Sequence, residues 1–394
     1  MSSPGKIVFI VLDSIGIGEA PDAAVYGDLG TNTLGNTAKA VGGLRLPELE
    51  RLGLGNIAAI SGVSPAKNPL GCYGKMQEVS KGKDSTTGHW EIAGLIITKD
   101  FPYYPKGFPS EVIGRFLSAT GMRGVLGNRP ASGTQIIEEL GDDHVRTGFP
   151  IVYTSGDSVF QIAAHEDVIP LAEQYRICQA TRDNVMIGQH AVGRVIARPF
   201  IGTSGKYTRT SNRKDFSLQA PGTTLLDVLH KCGVNTVSIG KIDDLFSGRG
   251  LREKVHTHSN AEGIEEIIRH SAAMSRGFIM TNLVDFDMLY GHRQDPKGMA
   301  AALEYFDAQL PRILETIRGE DILILTAYHG NDPTDNSTDH SREFVPLLVY
   351  SRVGKRGVNL GTRKTFADSG KTVAHYFGAD DASLAGTSFL NMIR

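Results

Sequence analysis

Short, largely apolar runs recur along the chain: IVFIVL (7–12), NTVSIG (235–240), FIMTNLV (278–284), ILIL (322–325) and PLLVYS (346–351). Runs of this length with little polar alternation predict buried strands, the environment of a parallel sheet. Segments of helical period lie between them. The clearest sets Met299, Leu303, Phe306, Leu310, Ile313 and Ile317 at three- and four-residue steps, which line one helix face. Pro311 inside that segment predicts a kink or a break. Strands and helices alternating in this way predict an α/β protein with a largely parallel sheet flanked by helices.

The middle of the chain breaks the pattern. Pro102, Pro105 and Pro109 open it and QAPG (219–222) closes it, with strand-like pieces IVYTS (151–155) and GRVIARPF (193–200) between. Domain insertions favour Pro- and Gly-rich junctions. The expected organisation is therefore a core in two parts, 1–100 and 220–394, interrupted by a smaller α+β domain at 101–219.

Composition narrows the partners. With 40% hydrophobic and 21% charged residues and a net charge of -2, the chain has the balance of a globular protein. No excess of positive charge points to nucleic acid or an anionic membrane. No segment approaches the roughly 20 apolar residues of a membrane span. The opening MSSPGKIVFIVLD runs its short apolar stretch straight into Asp13, unlike a secretory signal. Cys72, Cys178 and Cys232 are few and scattered, with no metal or redox spacing. A reduced, cytoplasmic location is expected.

Acids and histidines collect at one address, the carboxyl ends of the predicted core strands, where open α/β sheets bind their ligands. Asp13 follows IVFIVL. DFDMLYGH (285–292) supplies Asp285, Asp287 and His292. TAYHGNDPTDNSTDH (326–340) supplies His329, Asp332, Asp335, Asp339 and His340. Any one of these alone reads as a turn-former or a cap; their concurrence points to metal. Mixed carboxylate and imidazole donors without thiolates suit Mn²⁺ or Zn²⁺ better than Ca²⁺, and their number suggests two ions.

KDSTTGHWEIAG (83–94) places Ser85, Thr86 and Thr87 at a predicted helix start, with Glu91 soon after. Such hydroxyls are ordinary N-caps. A helix N-terminus also favours phosphate, and a neighbouring ion would acidify a hydroxyl, so a nucleophile is the second reading. The three hydroxyls stand equal here. DSIGIGEAPD (13–22) begins like a dinucleotide fingerprint but has Pro21 where the third small residue belongs. TSGDS (154–158), GRVIARP (193–199) and YTRTSNR (207–213) gather a carboxylate, hydroxyls and arginines, and Lys241 follows NTVSIG. Beside a metal pair, such cations would serve as phosphate clamps.

Over essentially its whole length the chain resembles the phosphopentomutases of the alkaline phosphatase superfamily. The matching motifs are LDSIGIGEAPDA, GKDSTTGHWEIAGL, YTSGDSVFQIAAHE, GRVIARPF, NLVDFDMLYGHRQDP, HGNDPTDNSTDH and GTSFLN. The resemblance implies an alkaline-phosphatase-like core with an inserted cap domain and two Mn²⁺ ions. Carried over by position, Asp287, His292 and His340 would hold one ion. Asp13 and His329 would hold the other, with Ser85 bridging as the residue that becomes phosphorylated. Asp157, Arg194, Arg209 and Lys241 match positions that grip the sugar phosphate. The implied reaction interconverts ribose 1-phosphate and ribose 5-phosphate, and their 2-deoxy forms, in nucleoside salvage. Glucose 1,6-bisphosphate or a similar bisphosphate primes it, and no obligate protein partner is evident.

Two positions depart from the family pattern. Ser85 stands where these enzymes usually have Thr and keeps the hydroxyl. Tyr328 stands in TAYHGNDP where the pattern is TADHGNDP, and that Asp is a ligand of the ion held by Asp13 and His329. A phenol with an ordinary pKa of about 10 is a poor replacement for a carboxylate, so the second ion is expected to be weakened. The alternatives to a working mutase are a metal-dependent sugar-phosphate phosphatase and a metal-site-impaired chain with little turnover.

Overall fold

IVFIVL forms strand β1 (Lys6–Leu12), buried along its whole length. The computed structural model describes residues 4–155, 158–379 and 381–394. By its internal contacts the chain divides into two units, Met1–Lys99 with Ala220–Arg394, and Asp100–Gln219.

With strands numbered along the chain, the first unit also holds β2 (Cys72–Met76), β9 (Thr236–Ile239), β10 (Glu253–Val255), β11 (Gly277–Leu283), β12 (Ile322–Thr326), β13 (Val345–Tyr350) and β14 (Asn359–Arg363). They form one sheet in the order β10-β9-β11-β1-β12-β13-β2-β14. Neighbours from β10 to β12 are parallel. This is the largely parallel α/β core that the apolar runs predict. β1 lies between β11 and β12, with Val8 level with Ile279 and Leu323. Its unbroken apolar sequence suits a strand covered on both faces. PLLVYS does form a strand, but β13 runs antiparallel to both β12 and β2. β2, β10 and β14 carry no long apolar run: CYGKM alternates buried and half-buried positions, and EKV and NLGTR are mostly exposed.

The helix Pro296–Thr316 buries the expected stripe, and it continues through Pro311 rather than ending there. The parallel arrangement has a direct consequence for chemistry. β1, β9, β11 and β12 all run the same way, so the residues just after them emerge at one edge of the sheet.

The second unit holds β3 (Leu126–Pro130), β4 (Ile151–Thr154), β5 (Val159–His165), β6 (Arg194–Ile201), β7 (Thr208–Arg209) and β8 (Lys214–Ser217). Their order is β3-β4-β5-β6-β7, with β8 also paired to β6. Side-chain alternation along β5 and β6 gives two apolar faces. Phe160, Ile162, Val195 and Ala197 pack with Val112 and Phe116 of the helix Ser110–Thr120 and Ile177 of the helix Leu171–Asn184. Ala163 and Phe200 pack with Ile136 and Ile137 of the helix Gly133–Thr147. Among the described residues no helix is long and apolar enough to cross a membrane.

Candidate active site

Asp13 leaves the end of β1 fully buried, and the next residue, Ser14, takes the left-handed conformation at φ 67°. That conformation is uncommon for a residue with a Cβ and costs about 1–3 kcal/mol. It accompanies a hydrogen bond of 2.5 Å from Ser14 Oγ to Asp287 Oδ1. Asp287 lies in a π-helical turn, Phe286–Gly291, just after β11. Such turns recur at functional sites.

Three imidazoles surround Asp287. His292 Nε2 lies 3.1 Å from Oδ2, and His340 Nε2 lies 3.5 Å from Oδ1. His329 stacks on His340 with ring centres 3.8 Å apart. Asp287, His329 and His340 each offer a donor atom, and these atoms lie within 4.8 Å of one another. That grouping crosses the division implied by family resemblance, which assigned His329 to a different ion from Asp287 and His340. His329 Nε2 is also 3.8 Å from Asp13 Oδ1, so it lies close to both carboxylates.

The imidazoles are oriented from behind. Nδ1 faces a main-chain carbonyl in each: Gly330 for His329 at 3.0 Å, Lys83 for His340 at 2.8 Å and Thr338 for His292 at 2.6 Å. With the Nδ1 proton donated there, Nε2 is left as the lone-pair donor, the usual orientation of metal-bound histidine. Nε2 of His329 and of His340 is buried with no hydrogen-bond partner among the described residues. Without an ion, the carboxylates and imidazoles act on one another instead. Burial opposes charge on His340, yet Asp287 pushes its pKa up to about 9. Burial also works against the Asp287 carboxylate, but His340 and His292 hold it well below the usual range. Burial, with Asp287 nearby, pushes Asp13 up to about 6 despite the opposing Lys241. Two buried carboxylates beside unpartnered imidazole nitrogens make a set that a divalent cation fits.

The helix Ser85–Ile92 brings up the candidate nucleophile. Its cap is Asp84, which accepts from Thr86 N at 2.9 Å and Thr87 N at 3.1 Å. Thr87 Oγ1 is held by Asp84 as well, at 3.0 Å to Oδ2. Ser85 Oγ instead lies 3.0 Å from the Tyr328 hydroxyl, which donates in turn to Asp13. Of the three equivalent-looking hydroxyls, Ser85 is therefore the one joined to the acid cluster. Tyr328 is buried, and burial together with Asp13 raises its phenol well above its ordinary value, so it acts as a neutral hydroxyl. Beneath it His89 packs at 4.2 Å between ring centres; burial lowers its pKa to about 3 and keeps it uncharged. Lys241, just past β9, is near enough for its charge to act on both Asp13 and His89.

Several acids flagged by sequence serve the fold instead. Asp285 exchanges hydrogen bonds with Asn260, at 2.7 and 3.0 Å. Asp332 accepts from Asn32 N and Asn36 Nδ2. Asp339 pairs with Lys83 at 3.4 Å, and Glu91 accepts from Ser80 N and Phe366 N. Conversely, sequence reading missed Ser14 and Asn331, whose Nδ2 donates to Asp287 at 2.9 Å. Only their adjacency to Asp13 and His329 hinted at either. In the second unit Arg194 approaches Asp215 at 3.5 Å, Arg209 is exposed on β7, and Asp157 lies outside the described residues.

A largely parallel α/β sheet with imidazole and carboxylate donors at its carboxyl edge defines a metal-dependent enzyme. The metalloenzyme superfamily model matches residues 5–381. A structural neighbour, phosphoglycerate mutase from Leishmania mexicana, shares the fold at 11% identity, with a TM-score of 0.51 over 98% of this chain and 97% of that one. At the sequence level the chain is 58% identical over 388 residues to a phosphopentomutase from Acetivibrio thermocellus, covering 98% of this chain and 99% of the relative. It is 57% identical to another from Caldanaerobacter subterraneus, covering 98% and 97%. The chain belongs to the phosphopentomutase family, a family of isomerases within that superfamily.

Proposed function

We propose that this chain interconverts ribose 1-phosphate and ribose 5-phosphate, and their 2-deoxy forms, by passing a phosphoryl group through Ser85. The observation that carries this is the position of Ser85 Oγ, joined through the Tyr328 hydroxyl to Asp13 while Thr87 is tied to its own helix cap. Phosphorylated Ser85 gives its phosphoryl group to the free hydroxyl of the sugar phosphate, which loses its proton. The bisphosphate so formed turns round, and its other phosphoryl group returns to Ser85. Glucose 1,6-bisphosphate or a similar compound supplies the first phosphoryl group.

Asp287, His292 and His340 would hold one divalent ion, Mn²⁺ by family resemblance, and Asp13 and His329 a second. Bound there, such ions neutralise charge on the transferring group. Ser14 and Asn331 hold Asp287 in place, and His89 stays neutral beneath Tyr328. Residues 100–219 are assigned the part of a cap that limits hydrolysis of the phosphoenzyme. Asp157, Arg194, Arg209 and Lys241 are assigned to the sugar phosphate, and a cytoplasmic location suits that substrate. Tyr328 supports a second reading, in which the Asp13–His329 ion is weakly held and turnover is slow.

The test is incubation with glucose 1,6-bisphosphate followed by mass spectrometry of the peptide containing KDSTTGHWE. Phosphate on Ser85, lost in Ser85→Ala, is expected; phosphate on Thr86 or Thr87 sinks the assignment. Free phosphate released faster than pentose isomer forms would make the chain a phosphatase instead.

A further inference from the structure

Residues 78–84 lead from β2 to the helix Ser85–Ile92 and belong to no strand or helix. Their main-chain groups must therefore find partners elsewhere. On the N–H side, Glu91 accepts from Val79 N at 3.1 Å and Ser80 N at 2.6 Å, and Lys81 N donates to the Ile97 carbonyl at 2.7 Å. Three of the carbonyls go to one side chain. Arg342 donates Nη2 to the carbonyls of Glu78 and Ser80, at 3.2 and 2.9 Å, and Nη1 to that of Gly82 at 2.6 Å. Nη1 donates also to Glu78 Oε2, and Nε to Asp22 Oδ2 at 3.2 Å. Every N–H of the guanidinium is thus engaged, and the residue is 2% exposed.

Arg342 stands two residues past His340 in an extended stretch, where alternate side chains share a side. Ser341 and Glu343 face each other on one side, and His340 and Arg342 leave on the other. His340 Nδ1 faces the carbonyl of Lys83, in the same loop, at 2.8 Å. One short segment therefore grips the loop at Glu78, Ser80, Gly82 and Lys83, and also carries a candidate metal donor. The loop ends at Ser85. Asp28 closes the arrangement, accepting from Arg342 N at 2.9 Å and Lys83 Nζ at 3.0 Å. A planar guanidinium fork serves such a set of acceptors at once, whereas the ammonium of a lysine has too few donors to do so.

We propose that Arg342 is a positioning residue for phosphoryl transfer: by fixing the loop 78–84 it sets the place of Ser85 relative to the donor atom of His340. It acts through the loop, and the inference rests on the reading of Ser85 as the residue that takes the phosphoryl group.

Arg342→Lys keeps a charge beside Glu78 and Asp22 but removes the fork. Hydrogen exchange of the peptide 78–84, read in metal-free protein, should quicken. At saturating Mn²⁺ the maximal rate of Ser85 labelling by glucose 1,6-bisphosphate should fall about ten-fold or more, with half-saturation by the bisphosphate unchanged. Lys6→Met, which breaks the buried pair with Asp321 at the opposite end of β1, should lower the unfolding temperature and move neither readout. Asp22→Ala decides the matter if the lysine variant does not fold. Asp22 is partly exposed, makes no side-chain cap to its helix and holds Nε from outside, so its loss should move both readouts in the same direction. Unchanged exchange in the folded variants overturns the proposal. Quicker exchange with an unchanged labelling rate overturns it too, since Arg342 would then anchor the fold alone. A raised half-saturation with an unchanged maximal rate would move Arg342 to bisphosphate binding and is equally fatal. If the unaltered chain takes no phosphate on Ser85, the catalytic reading falls and this inference with it; labelling that persists at full rate in the variants sinks this inference alone.

Discussion

The Tyr328 ring lies over Gly88, where a Cβ would come within 2.7 Å of it, and its hydroxyl bridges Ser85 Oγ and the Asp13 carboxylate. The phenol is thus built into the site, and it adds no charge there. A carboxylate at this position would offset a cation beside Asp13 and His329; a neutral hydroxyl does not. Disturbing even an outer partner of a metal ligand costs roughly 10–100-fold in affinity or activity. The unaltered chain is therefore expected to keep one Mn²⁺ per chain tightly and a second weakly. Tyr328→Asp should tighten the second ion by at least that factor and raise mutase turnover with it. Metal titration and elemental analysis after desalting read the stoichiometry independently of activity. Two tightly held ions in the unaltered chain, with no gain from Asp, would show the phenol to be a competent neighbour.

At the scale of the element, the helix Ser85–Ile92 depends on one side chain for its start. Asp84 takes two main-chain N–H groups and the Thr87 hydroxyl, and Ser85 is the first helical residue beyond it. Removing a cap of this type costs about 1 kcal/mol, up to about 2. Asp84→Ala should lose that much in urea unfolding and also slow the labelling of Ser85, because the first turn frays where the nucleophile sits. Asp84→Asn keeps an accepting oxygen and should recover most of both. If Asn is as damaging as Ala, the charge of Asp84 matters more than its cap. β1 shows the same dependence on context: its apolar residues fix a central strand, and its direction beside β11 and β12 delivers Asp13 to the edge shared with Asp287 and His329.

Stability of the whole molecule has a buried carboxylate built into it. Glu343 accepts from Thr33 N, Thr33 Oγ1, Ser341 Oγ and Gly18 N, fastening the loop after β1 to the segment leading into β13. Burial nonetheless pushes its pKa from 4.5 up to about 7. A folded-state value above the unfolded one means that the native chain binds the extra proton between those limits. Stability attributable to this group is therefore highest below about pH 4.5, falls as pH rises to about 7, and is level beyond. The fall is on the order of 3 kcal/mol. Glu343→Gln should remove it, so the stability difference between the two proteins should change across that window. Urea unfolding of both, with chelator present, checks this; parallel curves would exclude Glu343 as the source.

The sequence by itself determined the core strands and the edge where the chemistry gathers. Apolar runs announce burial without help from distant residues, and Asp13, Asp287, His292 and His329 follow such runs directly or within a few residues, with His340 further along the loop after β12. What followed from long-range partners was not legible. β13 reverses because of β12 and β2, and the short polar strands β10 and β14 exist only through their neighbours. Asp285 and Asp332 look like ligands until Asn260, Asn32 and Asn36 take them up. Ser85, Thr86 and Thr87 are alike in sequence; packing separates them, because Asp84 captures Thr87 while Tyr328, far along the chain, receives Ser85. Ser14 and Asn331 matter only because folding sets them against Asp287. Burial of a strand is a property of a local pattern, whereas strand order and the role of a polar side chain belong to the partners that the tertiary structure brings to them.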